Sequence, residues 1–392
     1  MTFVYILVAI LVLMFMITVH ELGHYIAGKS LGFKINEFSI GFGKALFKRT
    51  SKKTGEVFAI RMIPLGGYCA FEGEDEAGTP GMEKPEEQQR GYFDTTADEK
   101  PATPAIPFNK MPPWKRLIAL FSGAFANFVC AVIFSFILLM AVGYNHTATI
   151  NKMDPMSHNK GVLHEGDIVH EINGNKFSLL NNYMTQLAKF GAGEEIRLTV
   201  ERDGEILPDP VIVTRAEIKP IEYVDLGGGH IVQREGDPYV GIGITNQHID
   251  YQKMAFGPAI GKAFVFSGEL AWLVLSFLGK MVIGQVSLSD IGGPMSTVSV
   301  MSQSVSVSML NLLILIPLIS VNLAVFNLLP IPALDGARMV FVGIEWVRKR
   351  PVNPNLEGKI HLIGLMVLLG LILVLDLNYL LFSRLMLYNM LC

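Results

Sequence analysis

Charge is what this 392-residue chain has least of. Only 17% of its residues are charged while 51% are hydrophobic, against about a quarter charged in a soluble globular domain. The deficit points to a surface that faces lipid. Net charge is small as well, −3 at pH 7, and gives no reason to expect nucleic acid as a partner. Cysteine is scarce: Cys69, Cys130 and Cys392 are odd in number, scattered, and never set as CxxC. They offer neither a disulfide framework nor a cysteine zinc site.

Long apolar runs are what the chain has in excess. A helix needs about 20 such residues to cross the hydrocarbon core. Residues 3–19, 117–142, 310–329 and 360–381 read as four spans, the third holding Pro317 and Asn322, the fourth His361 and Asp376. The first lacks the basic start and small-residue cleavage site of a signal peptide, so it reads as an uncleaved span. Residues 255–283 are apolar but carry Lys262, Glu269 and Lys280. Lone charges inside a span are costly, so this stretch is expected to lie along the interface as an amphipathic segment.

No lysine or arginine precedes the first span, whereas Lys29, Lys34, Lys44, Lys48 and Arg49 follow it. Arg338, Arg348, Lys349, Arg350 and Lys359 lie between the third and fourth. The excess of positive charge makes both loops cytoplasmic. The fold class expected is an α-helical multi-pass membrane protein with about four transmembrane helices, a membrane-associated β-hairpin and an extracytoplasmic α+β domain. The chain then divides into a first transmembrane helix (1–28), a cytoplasmic β region (29–71) and an acidic, proline-rich cytoplasmic linker (72–116). A second span (117–143), an outer domain (144–252) and an interfacial segment (253–306) follow. A third span (307–338), a cytoplasmic loop (339–359) and a fourth span with an outer tail (360–392) complete it.

The outer block has its own texture. Turn residues at Gly166-Asp167, an alternating strand from Ile168 to Ile172 and a tight Asn173-Gly174 turn are followed by further alternation at 196–201 and 211–214. Residues 181–190 read as a short helix, and 239–244 as a strand returning toward the membrane. The glycine-aspartate turn and the strand after it resemble the circularly permuted PDZ fold of bacteria.

The chemistry begins at His20-Glu21-Leu22-Gly23-His24. On a helix, residues i and i+4 leave the same face one turn apart, a spacing that suits two ligands of one tetrahedral zinc. Glu21, adjacent but rotated, is placed to take a proton from water as it attacks a carbonyl carbon. Three ionisable groups at the end of a membrane helix are expensive unless they pair or bind something. A catalytic zinc also wants a third protein ligand. Asp335 is the leading acid, because Pro330 and Pro332 break the third span just where it is delivered. Asp376 is the competing acid, near the opposite face.

Together, the His20–His24 motif and Asn327-Leu328-Leu329-Pro330-Ile331-Pro332-Ala333-Leu334-Asp335-Gly336 resemble the site-2 protease family. The PDZ-like insert narrows the resemblance to the bacterial regulator-of-sigma-E protease group. Ser39-Ile40-Gly41-Phe42-Gly43, Arg61-Met62-Ile63-Pro64-Leu65-Gly66-Gly67-Tyr68 and Ser122-Gly123-Ala124-Phe125-Ala126-Asn127-Phe128 are similar to its pattern, in order. Gly123-Ala124 stands where that family often has Gly-Pro, and Ala337 where a second glycine is common. The resemblance implies one catalytic zinc ion held by His20, His24 and Asp335, with Glu21 as general base. The location expected is the inner (cytoplasmic) membrane, where the charge asymmetry puts the active site toward the cytoplasm and the PDZ-like domain outside. The resemblance further implies single-pass membrane proteins as substrates, trimmed anti-sigma factors and signal-peptide remnants among them.

A helical substrate hides its amides, so cleavage requires unwinding, and a β edge can capture the extended segment. Residues 56–63 have strand character ending at Pro64 and a Gly66-Gly67 turn, and can form a hairpin with 38–47. Arg61, Met62, Ile63, Pro64, Leu65, Gly66 and Gly67 are the candidate substrate-clamping edge. Asn127 and Asn327 are candidates for holding substrate or the tetrahedral oxyanion, and Asn127 equally for gluing helices together. Two other functions fit parts of the sequence, namely a non-catalytic scaffold and a metal transporter. The first predicts no dependence on Glu21, the second polar ligands at several depths.

Overall fold

The computed structural model describes residues 2–74, 105–178, 181, 183–218, 221–225, 231–235, 239–286, 292–307 and 309–391. Most of the acidic linker expected over 72–116 lies outside them. The chain divides into two compact units, residues 1–135 with 267–392, and residues 136–266.

The first unit is built on helices. α1 (Thr2–Leu31) and α2 (Pro113–Ala141) are apolar over 30 and 29 residues, and both are long enough to cross a bilayer. α5 (Pro294–Val307) packs against α1, α6 (Met309–Leu328) and α8 (Pro354–Leu391). Ala9, Met16, Cys130, Met301, Val305 and Ile316 are buried where these helices meet. The chain after α6 cannot continue as helix through Pro330 and Pro332. It turns and restarts as α7 (Asp335–Arg348).

The segment expected over 253–306 to lie along the interface holds two helices, α4 (Phe256–Val282) and α5. Met301 and Val305 of α5 are buried among the other helices, because its small and apolar residues let it pack closely. By length and composition α4 is itself a candidate span, as are Phe3–Leu31, Pro113–Ala141 and Pro354–Leu380, whereas Leu313–Leu328 counts only as a shorter apolar helix. Lys262, Glu269 and Lys280 are too few to interrupt α4, and Ala259, Ala263, Phe266, Leu270, Val274 and Leu278 are buried at helical spacing along one face.

Between α1 and α2 lie two long strands, β1 (Ile35–Thr50) and β2 (Val57–Phe71). They pair antiparallel over two stretches, 35–40 with 67–71 and 45–50 with 57–61, while 37–40 also stand beside 57–60. Gly41 and Gly43, at φ +87° and +80°, bend β1 so that its halves meet different parts of β2. A β-carbon on Gly41 would come 2.7 Å from the Ile63 carbonyl oxygen, so only glycine admits this approach. The strand therefore does not end at Pro64. It runs through Gly66-Gly67 to Phe71, and 67–71 carries no second strand on its outer side among the described residues.

The second unit opens and closes on a shared strand pair. β3 (Tyr144–Met153) lies antiparallel to β13 (Ile244–Gln252), the last strand of the block. Between them come β4 (Ile168–Ile172), β5 (Asn175–Lys176), α3 (Tyr183–Leu187), β6 (Glu195–Arg202), β7 (Glu205–Ile206) and β8 (Val211–Thr214). The main sheet runs β13-β3-β4-β6-β7, with β5 on β4 and β8 on β6. Short ladders pair β9 (Ala216–Ile218) with β12 (Tyr239–Gly241) and β10 (Ile221–Asp225) with β11 (Ile231–Glu235). The β4–β5 hairpin turns at Asn173 and Gly174, both at positive φ, the geometry an Asn-Gly pair favours. Ile150, Val169, Ile172, Tyr183, Ile196, Leu198 and Val213 form its core.

Candidate active site

His20 and His24 sit one turn apart on α1, both buried. Their Nε2 atoms are 3.1 Å from each other and 3.0 and 3.3 Å from Oδ2 of Asp335. Three elements bring them together. α1 sets the pair by its pitch. The break after α6 ends in a turn from Ile331 to Leu334, closed by the Leu334 amide on the Ile331 carbonyl at 3.1 Å. Asp335 is then the first residue of α7, where the helix N-terminus favours a carboxylate. Gly336 fits beneath the end of α6, where a β-carbon would lie 2.2 Å from the Leu329 carbonyl oxygen.

α2 supplies the remaining wall. Gly123 faces both imidazoles, and the carbonyl oxygen of Ala119 lies 2.8 Å from Nδ1 of His24. That carbonyl accepts the Nδ1 proton, so Nε2 of His24 presents its lone pair to the cluster. Asn127, fully buried, stands 3.4 Å from Nδ1 of His20, and its own backbone oxygen accepts a hydrogen bond from Ser320 at 2.8 Å. Among the described residues its side-chain oxygen is buried without a partner. A half-turn of the amide gives that oxygen the Nδ1 proton of His20 and frees Nε2 there too.

Two imidazole lone pairs and a carboxylate oxygen converge on one point, with ligand atoms within 4.8 Å of one another. The donor set fits zinc, which takes nitrogen and oxygen ligands tetrahedrally and keeps one position open in catalytic sites. A cavity of about 240 Å³ opens beside them, lined by Ile17, Glu21, Asn127, Leu323, Asn327 and Leu334 along with His20 and Asp335.

Glu21 touches the sheet. A β-carbon on Gly67 would stand 3.4 Å from Cγ of Glu21, and the backbone amide of Cys69 hydrogen-bonds to its carboxylate. The outer edge of β2 thus passes the acid directly. Burial, and then the negative charge of Glu21, push the Cys69 thiol up, so it stays protonated and is a poor metal ligand.

The candidate edge residues separate by role. Gly66 and Gly67 lie at the acid's end of β2, and Met62 and Ile63 are exposed; the side chains of Pro64 and Leu65 lie outside the described residues. Arg61 is engaged within the sheet. It reaches the buried Glu37 at 2.6 Å, Ser39 Oγ at 3.0 Å and the Gly43 carbonyl at 2.7 Å. Tyr68 donates to the same Glu37 at 2.8 Å. Burial and then Glu37 push its phenol up to about 12, which keeps it a donor.

Asp376 is not part of the cluster. Its Oδ1 accepts the Met295 amide at 3.1 Å, satisfying the start of α5. Gly123, the Ala119 carbonyl and the Cys69 amide do not stand out in the sequence as site groups. Backbone groups leave no mark there, and Gly123 is visible only as part of the Ser122–Phe128 run.

The sequence model of Peptidase family M50 matches residues 8–371. The chain is similar to the zinc metalloprotease RasP of Oceanobacillus iheyensis, 27% identical with 91% of this chain and 94% of the relative covered. It is similar also to the zinc metalloprotease RasP of Shouchella clausii, 28% identical over 89% and 92% of the two. With its apolar helices and its His20–His24–Asp335 cluster, the chain belongs to peptidase family M50, the site-2 protease family, and is a membrane zinc metalloendopeptidase.

Proposed function

We propose that the protein is an intramembrane endopeptidase with one catalytic zinc, cutting single-pass membrane proteins within or near their spans. The observation that carries this reading is the convergence of His20, His24 and Asp335 beside Glu21 on helices long and apolar enough for a bilayer. His20, His24 and Asp335 are the ligands. When bound, the zinc supplies a Lewis acid that polarises the scissile carbonyl and acidifies water.

The chain's own residues do the rest. Glu21 accepts the proton of the attacking water and returns it to the leaving amine. The Cys69 amide fixes that carboxylate, so it need not search for its geometry. Apart from the Cys69 amide, which Glu21 takes, the outer edge of β2 borders no second strand among the described residues and suits strand addition, which draws a substrate helix into extended form. A segment added there lies against Glu21. Asn327 lines the cavity with a free choice of donor or acceptor for substrate backbone. Ile17, Leu323 and Leu334 favour apolar side chains, as expected of a substrate taken from a membrane. Asn127 serves His20 rather than substrate.

The positive-inside pattern supports an inner-membrane orientation with the site toward the cytoplasm. Residues 144–252 then form an outer PDZ-like domain that excludes bulky ectodomains, leaving trimmed anti-sigma factors and signal-peptide remnants as substrates. Deleting residues 148–245 should broaden substrate choice and leave zinc content unchanged; unaltered selectivity would refute the gate. The central test is purified protein and its Glu21→Gln variant, each assayed for zinc and for cleavage of a model membrane substrate. Both should hold zinc and only the wild type should cleave. Equal cleavage would end the proposed role of Glu21.

A further inference from the structure

The turn that delivers Asp335 is made from the wrong residue. Pro332 and Ala333 are its two central positions, and Ala333 has φ +80°. Proline first and a positive φ second is the signature of a type II turn, in which the second position ordinarily belongs to glycine. Alanine there is strained, because its β-carbon crowds the backbone at positive φ. Such a conformation persists only where its surroundings over-determine it.

α8 provides those surroundings. The amide of Ala333 points away from the turn's own hydrogen bond and donates to Nδ1 of His361 at 3.0 Å. One turn along the same helix face, Gly364 receives Pro332, whose Cβ would lie 2.2 Å from any β-carbon placed there. The His361 ring is steadied from the other side by Phe341 of α7, centroids 5.6 Å apart. The fourth span therefore grips the turn at both central residues, two residues before the carboxylate that meets His20 and His24.

We propose that His361 is a positioning residue for the zinc-binding carboxylate. Its Nδ1 takes the Ala333 amide and so holds the left-handed turn that sets Asp335 against the two histidines. This rests on the reading of Asp335 as a ligand. His361 does not touch the metal or the substrate. It acts in the Nε2-protonated tautomer, the one that leaves Nδ1 as an acceptor.

The test measures zinc affinity of the full-length protein in detergent, by competition with a chromophoric chelator. His361→Phe keeps the ring against Phe341 and removes the acceptor. It should weaken zinc binding about tenfold or more, the usual effect of losing a group that orients a ligand. Adding Ala333→Gly should recover most of that loss, because glycine adopts positive φ without strain. His361→Asn, whose Oδ1 can stand where Nδ1 does, should stay within about threefold of wild type. The Asn variant also keeps the test open if the Phe variant does not fold, since a monodisperse His361→Asn protein with a tenfold loss would overturn the proposal. So would wild-type affinity in His361→Phe, or no recovery on adding Ala333→Gly. Asp335→Asn is the control. If it retains zinc, the ligand reading itself falls; if it loses zinc while His361→Phe binds normally, only the role of His361 does.

Discussion

A β-carbon on Gly123 would stand 2.3 Å from Nε2 of His24 and 2.8 Å from Cε1 of His20. α2 therefore needs a residue without a side chain at this position, although alanine favours a helix over glycine by about 1 kcal/mol. Gly123→Ala should leave the helix intact and push both imidazoles off the point where Asp335 meets them. The expected result is a loss of zinc affinity of about tenfold or more with little change in thermal stability. Metal analysis together with a melting curve checks it, and full zinc occupancy in the variant would show that the histidines can yield.

Arg61 presents a different case. Its guanidinium is shared among Glu37, Ser39 and Gly43 inside the curled sheet. If its work is to hold the edge in shape, removing either partner should do the same damage. Arg61→Ala and Glu37→Ala are each expected to cut cleavage of a membrane substrate, and the double variant should be about as active as either single one, because residues in one network do not add. A double variant showing the product of two separate losses would return Arg61 to direct substrate contact.

How far the sequence reveals this molecule depends on what each residue's role leaves in the order of side chains. The i, i+4 histidines and a proline-broken span ahead of Asp335 are side-chain patterns, so the elements that bring His20, His24 and Asp335 into one cluster are legible in the sequence. The Asn173-Gly174 hairpin and the strands at 168–172 and 211–214 are equally legible, since turn chemistry and alternation are local. The course of β2 is not. Pro64 and Gly66-Gly67 are stop signals in isolation, and only the bend at Gly41 and Gly43 shows why the strand continues. α5 is hidden because serine-rich, weakly apolar sequence does not announce burial, which comes from its neighbours α1, α6 and α8. His361 is visible as an ionisable residue in a span, a sign of function by itself, but its partner is a backbone amide that sequence cannot point to.

Asp376 is the rival for the third ligand in the sequence, and the structure gives it other work. Its carboxylate satisfies the Met295 amide at the start of α5 and rests against Gly293. Asp376→Asn keeps an acceptor oxygen there and should be nearly silent. Asp376→Ala should lower thermal stability by about 1 kcal/mol, the usual effect of losing a helix-start acceptor, with zinc content unchanged. Loss of zinc in Asp376→Ala and its retention in Asp335→Asn would reverse the assignment of the two acids.

The second unit carries a pH-dependent clamp of its own. Asp167, buried beside the β4 strand, accepts Nε and Nη2 of Arg202 at 2.7 and 2.8 Å and the His164 amide at 2.9 Å. Burial alone would raise its pKa, but Arg202 and the amide outweigh it and hold the carboxyl below its ordinary value. A depressed carboxylate stabilises the fold above the unfolded pKa, about 3.9, and that contribution fades as pH falls through the lower folded value. Asp167→Asn should therefore weaken this unit by about 2 kcal/mol at neutral pH and by progressively less in acid. Limited proteolysis of the full-length protein across pH, with cuts mapped to residues 136–266, reads the difference directly. Wild type and variant should differ most near neutrality and converge at low pH. A gap that widens on acidification would mean that Asp167 is protonated in the folded unit, and that the Arg202 contact contributes nothing as an ion pair.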